Sequence, residues 1–142
     1  VAAVLRRNAR RAGLTDKVVV LERRVDGEPV GCFDEAKFLK ADVEGDERLV
    51  FESFRPLFAA KRIEWALFEI SPTFRADYDR LITDVMACGY EAFAVPDKTC
   101  SYLDAWGADP LACLERSRIT DPQAYVAALY PGQSNVVFRR LP

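Results

Sequence analysis

Three acidic residues stand near the ends of two predicted strands, and their carboxylates are candidates for acid/base chemistry. Asp42 and Glu44 come at the end of one apolar run, and Glu69 lies near the end of the next. Ligands of open α/β sheets bind beyond the carboxyl ends of the strands, so neighbouring strands would bring these side chains to one rim. The alternative is that Asp42 and Glu44 only flank a turn and begin a helix, where acids are favoured.

The absence of histidine narrows the chemistry that this chain can perform. It excludes a Ser/His/Asp triad, a Cys/His dyad and the common metal sites that contain histidine. Acid/base work must then fall to carboxylates, Lys, Tyr or Cys. We predict Asp42 as a general base or orienting group, with a raised pKa that would suit catalysis near neutral pH.

Composition indicates one domain of ordinary globular type. The chain has 142 residues, of which 50% are hydrophobic and 30% are charged, and its net charge is -2. The charge balance lacks the basic excess expected of a protein that coats nucleic acid, and we predict no nucleic-acid partner. The apolar runs are far shorter than the roughly 20 residues that span a bilayer. The four cysteines form no CxxC pair, which favours free, mostly buried thiols and a reducing compartment, cytoplasmic or organellar, over a single disulfide.

The elements that must position the acids alternate between helix and strand. The predicted order is helix 1–12, strand 17–22, strand 38–43, a helix from 49 to 62 broken at Pro56, strand 65–70, helix 74–86, strand 91–95, short helices 109–115 and 121–130, and strand 136–138. This alternation predicts right-handed βαβ crossovers, a mostly parallel sheet and helices on both of its faces.

The stretch from Leu39 to Glu47, LKADVEGDE, resembles the "LKiDvEGaE" signature of FkbM-type methyltransferases. Other stretches are similar to that family in the same order. They are Leu5 to Asn8 with Gly13-Leu14 and the run Val18 to Leu21, then Phe68 to Ile70, Gly89 to Phe93, and Ser134 to Phe138.

The resemblance implies a Rossmann-like class I methyltransferase sheet that uses S-adenosylmethionine (SAM) to methylate a hydroxyl oxygen. It implies that Asp42 faces the reacting methyl group and the acceptor, and that Glu44 helps to shape the pocket. Glu69 is the third candidate catalytic residue. Arg24 and Val25 stand where the family has residues near the adenine, so together with Asp42 they are the candidate cofactor-binding residues.

The sequence departs from the family at its start. The family's first strand, its glycine-rich SAM loop and the acid ending its second strand should precede Val1, and the chain contains no GxG. We therefore expect residues 1–142 to form a single partial domain that lacks its first strands. An upstream segment or a partner chain would cover the open sheet edge. Two functions follow: an O-methyltransferase acting on a small molecule, sugar or lipid, or a degenerate module with a structural or interaction role.

Overall fold

A computed structural model describes residues 1–71, 77–96, 114–129, 132 and 134–142. The described residues form an α/β fold. Its elements are α1 (Ala2–Arg11), β1 (Ala36–Ala41), α2 (Glu47–Ala59), β2 (Ile63–Ile70), α3 (Tyr78–Ala87), β3 (Tyr90–Pro96), α4 (Pro122–Leu129) and β4 (Ser134–Arg140).

The four strands form one mixed sheet in the order β1-β2-β4-β3. Only β1 and β2 pair in parallel, whereas β4 is antiparallel to both of its neighbours. The prediction of a mostly parallel, Rossmann-like class I sheet is therefore wrong. The reason is the last strand, which inserts between β2 and β3 from the opposite direction and pairs with both. Hydrophobic patterning reports which residues are buried in a strand and carries no information about its direction.

Among the described residues, helices α2, α3 and α4 pack on one face of this sheet. Residues of α2, α3 and α4 join a single core with alternate residues of β2 and β4, including Phe68 and Phe138. The connections through α2 and α3 advance across the sheet in the same direction. Right-handed crossovers that advance in one direction place their helices on the same face.

The predicted strand 17–22 is absent, although its β-branched sequence is typical of a buried strand. Val19 is 81% exposed, and no described strand pairs with this run. Helix α1 forms as predicted but has no buried residue. A strand is stabilised by backbone hydrogen bonds to a neighbouring strand. A β-branched run without such a neighbour lacks this stabilisation and does not form a strand.

The remaining predicted elements form with shifted bounds. Strand β1 begins and ends two residues before its prediction, and α2 continues through Pro56 instead of breaking there. Residues 74–76 of the predicted third helix and most of the predicted helix 109–115 lie outside the described residues. Cys32 is a free thiol but exposed, and Cys88 is free and half-buried; Cys100 and Cys113 lie outside the described part. Within the described ranges, none of the helices combines the length and apolarity that crossing a bilayer requires.

Candidate functional site

The ends of β1 and β2 bring two of the three predicted acids together. The two strands pair in parallel, with Ala41 opposite Phe68, so Asp42 and Glu69 occupy the next positions at the same rim. The two side chains are close enough that Glu69 contributes, through hydrogen bonding, to lowering the pKa of the Asp42 carboxyl. Their side chains lie on the face of the sheet opposite the core, because the neighbouring Ala41 and Phe68 are buried on the core side.

Lys40 determines the charge state of Asp42. Its ammonium lies 2.6 Å from Asp42 Oδ2, and both side chains are about half exposed. The hydrogen bond from Lys40, and after it the one with Glu69, lower the pKa of the Asp42 carboxyl. The expectation of a raised pKa for Asp42 is therefore wrong, because a cation two residues back on the same face of the strand outweighs desolvation.

Glu69 acts on Asp42 in the same direction as Lys40, so both neighbours favour the ionised form of Asp42. The rim thus presents an ionised carboxylate, with the Glu69 side chain next to it on the neighbouring strand. An ionised carboxylate at this place can accept a hydrogen bond from a donor that approaches the rim.

Glu44 does not join this pair. It is exposed and lies in the left-handed region of the backbone, at φ 51°, followed by Gly45 at φ 108°. Among the described residues, no hydrogen bond or ion pair connects Glu44 with Asp42 or Glu69. Two successive residues at positive φ turn the chain sharply, and the Glu44 side chain leaves the rim there. Of the three carboxylates predicted to lie together, those of Asp42 and Glu69 do so, and that of Glu44 does not.

A further acid at this end of the sheet is Glu47, which the sequence patterns did not single out as a candidate. Glu47 is 1% exposed, at the start of α2. Its carboxylate accepts hydrogen bonds from the backbone N–H of Val43 at 3.2 Å, from the N–H of Gly45 at 3.0 Å and from the Tyr78 hydroxyl at 2.9 Å. Glu47 is the final Glu of the stretch LKADVEGDE, and this position was the one sequence feature that could have indicated its role. Acids are common in the first turn of any helix, so the feature does not distinguish Glu47 from an ordinary helix-starting acid.

Tyr78 connects this buried carboxylate to the end of β2. The Tyr78 hydroxyl, at the start of α3, donates to Glu47 and receives a backbone hydrogen bond from Ser71, the residue after β2. Burial, followed by the hydrogen bond to Glu47, raises the pKa of Tyr78 above its usual value. The hydroxyl therefore stays protonated and remains a donor across the whole range in which the protein could work.

Arg24 and Val25, the other predicted cofactor-binding residues, do not lie at a strand end. The strand expected before them does not form, and both side chains are exposed. Arg24 lines a surface depression beside α1, with Leu5 and Leu21 among its neighbours. In the described part of the chain, no hydrogen bond or ion pair links either residue to Asp42. The cofactor-binding role predicted for Arg24 and Val25 requires strand 17–22 to end near the rim. Because this strand does not form, no described element brings the two residues to the rim.

Comparison of this chain with protein-family models, with curated proteins and with solved structures finds no match. The case for a function therefore rests on the residues themselves. Within the described ranges, no group of three or more Cys, Asp and Glu side chains is arranged to hold a metal ion.

The described residues fit SAM only in part. The sulfonium and ammonium groups of SAM are cationic, and the ionised Asp42 at the rim suits a cation. The adenosine half requires an apolar slot and polar contacts to the ribose, and the residues predicted for it are exposed and away from the strand ends. The described residues at the rim can therefore form the charged side of such a site.

Proposed function

We propose that this chain is a methyltransferase module that forms the acceptor side of a SAM-dependent O-methyltransferase site. The observation that carries the proposal is the placement of Asp42 and Glu69 side by side at the ends of a parallel strand pair. The resemblance of residues 39–47 to the FkbM-type signature adds support, because Asp42 is the residue that the signature assigns to the reacting group. The acceptor would be a hydroxyl of a small molecule, a sugar or a lipid.

The two rim acids would act on the acceptor hydroxyl. When bound, SAM supplies the methyl group, and the residues of this chain have to orient the acceptor and receive its proton. Ionised Asp42 can accept a hydrogen bond from the hydroxyl and so point its oxygen lone pair away from the sheet. A lowered pKa makes Asp42 a weak base, so its main contribution is orientation, with proton removal completed only as the acceptor oxygen is alkylated.

Substitution of Asp42 tests this role in the intact protein. SAM binding is measured by calorimetry, and methyl transfer is measured with a panel of hydroxyl acceptors. We expect Asp42→Asn to reduce turnover by about a hundredfold or more, as found for positioned acid/base groups, because the amide cannot accept the proton. Asp84→Asn, on the surface of α3 where Asp84 pairs with Arg48, is the control and should keep full turnover. Unchanged turnover in Asp42→Asn would remove Asp42 from the reaction.

A structural or interaction module is the second candidate function, and the exposed edge of β1 favours it. Phe38 in this edge strand is 56% exposed. Apolar side chains beside an unpaired strand edge form a surface that another chain segment can cover. An intact protein that neither binds SAM nor transfers a methyl group would favour this second function.

A further inference from the structure

Both loops at the candidate site meet at one buried carboxylate. The loop after β1 supplies two backbone N–H donors, from Val43 and Gly45, to Glu47. The segment after β2 reaches the same carboxylate through Tyr78, whose hydroxyl receives the hydrogen bond from Ser71 and donates to Glu47. Glu47 therefore connects the two chain segments that carry Asp42 and Glu69.

The burial of Glu47 makes this connection stiff. With 1% exposure, the carboxylate has no bulk water to replace a lost protein donor. Hydrogen bonds to an ionised group are stronger than neutral ones, and a buried charge left without donors is costly. In the described part of the chain, no lysine or arginine is paired with Glu47, and three neutral N–H and O–H donors take the place of water around its carboxylate.

The backbone of the loop is arranged for this contact. Glu44 at φ 51° and Gly45 at φ 108° turn the chain so that the N–H groups on either side of Glu44 point toward one carboxylate. A non-glycine residue at positive φ costs about 1 kcal/mol, so the contacts to Glu47 must compensate for that strain. Without Glu47, the loop would lose the hydrogen bonds that hold its conformation directly after Asp42.

We propose that Glu47, with Tyr78, is a positioning residue that fixes the ends of β1 and β2 so that Asp42 and Glu69 stay in contact. Glu47 does not touch the acceptor, since it is buried on the core side of the rim. It acts through the loop backbone. The inference rests on the proposed function for its catalytic consequence, but the rigidity of the loop is measurable without any substrate.

Amide hydrogen exchange in the intact protein tests the proposal directly. Glu47→Gln keeps the shape of the side chain but removes the charge and turns one acceptor into a donor. We expect exchange at Val43 and Gly45 to accelerate by about ten- to a hundredfold, the loss expected for hydrogen bonds to a charged group. Glu52→Gln, on the same helix and paired at the surface with Arg48 and Arg55, is the matched control.

A second variant covers the case in which Glu47→Gln does not fold. Tyr78→Phe removes only the hydroxyl, and we expect faster exchange at Ser71 with smaller changes at Val43 and Gly45. Amides in the core strand β2, such as that of Phe68, provide the reference for global stability in each variant. If exchange at the amides of Val43, Gly45 and Ser71 matches the wild type in both variants, Glu47 and Tyr78 do not position the loops.

The carboxyl group of Asp42 gives a readout that a purely structural role for Glu47 would not move. Carbon NMR of that carboxyl in Glu47→Gln should show the Asp42 titration shifted upward, toward the ordinary range, because loosened loops weaken the contact with Glu69. In enzyme assays, kcat should fall by about tenfold or more while KM for SAM changes little. Altered exchange and titration in a protein without methyl transfer would support the positioning role and overturn the proposed function instead.

Discussion

Asp42 shows how one neighbouring side chain sets the behaviour of a candidate catalytic group. Lys40 and Asp42 are two residues apart in an extended strand, so their side chains share a face, and their charged atoms approach to 2.6 Å. Asp42 is therefore ionised at neutral pH, as the direction of its pKa shift shows. A site built on Asp42 would keep its carboxylate through mild acid, and any loss of activity between about pH 5 and 8 must come from another group.

Removal of the Lys40 charge should raise the pKa of Asp42. A depressed carboxyl pKa stabilises the folded protein above the pKa of the unfolded chain, and this contribution is lost as the pH falls through the folded value. In Lys40→Met the Asp42 titration and the acid limb of the activity profile should both move to higher pH. Lys37→Met is the control, because Lys37 pairs with Glu64 on the same strand pair. Carbon NMR of the Asp42 carboxyl measures the shift; an unmoved titration would contradict the role of Lys40.

At the scale of elements, Phe58 joins α2 to the sheet. Its ring lies 5.4 Å from that of Phe51, 6.3 Å from that of Phe68 and 5.2 Å from that of Tyr90, measured between centroids. Phe58→Ala should reduce the free energy of unfolding by about 3–5 kcal/mol, because it leaves a cavity that these rings cannot fill. Phe38→Ala, at the exposed sheet edge, should change it by less than about 0.5 kcal/mol. Urea denaturation measures both, and equal losses would contradict this account of the core.

The elements also show what hydrophobic patterning can and cannot predict. The helical stripe of α3 and the apolar run of β2 were predictable because their partners lie within the described core. Residues 17–22 carry as strong a β pattern, yet form no strand, since pattern alone does not supply a neighbour to pair with. At the site, the meeting of Asp42 and Glu69 followed from two predicted strand ends. The role of Glu47 did not, because it depends on backbone N–H directions that side-chain patterns do not encode.

For the whole molecule, the two edges of the sheet differ in how they are protected. The β3 edge is covered by residues 117–119: Ala94 N–H donates to the Ser117 carbonyl, and Ile119 N–H donates to the Ala92 carbonyl. In the described part of the chain, no segment pairs with the outer edge of β1. Lysines often guard such edges, but Lys37 and Lys40 are each paired with an acid, which reduces their repulsion of another chain.

The exposed β1 edge should make the 142-residue chain associate with itself as its concentration rises. Phe38, 56% exposed on this edge, would lie within any new strand pair, so Phe38→Lys should shift the population toward monomer by adding an unpaired charge there. Leu141→Lys, at a 38% exposed position beyond β4, adds the same charge away from the edge and should leave association unchanged. Sedimentation velocity over a concentration series measures both variants. A wild-type chain that stays monomeric throughout, or equal effects of the two lysines, would show that the β1 edge is not the associating surface.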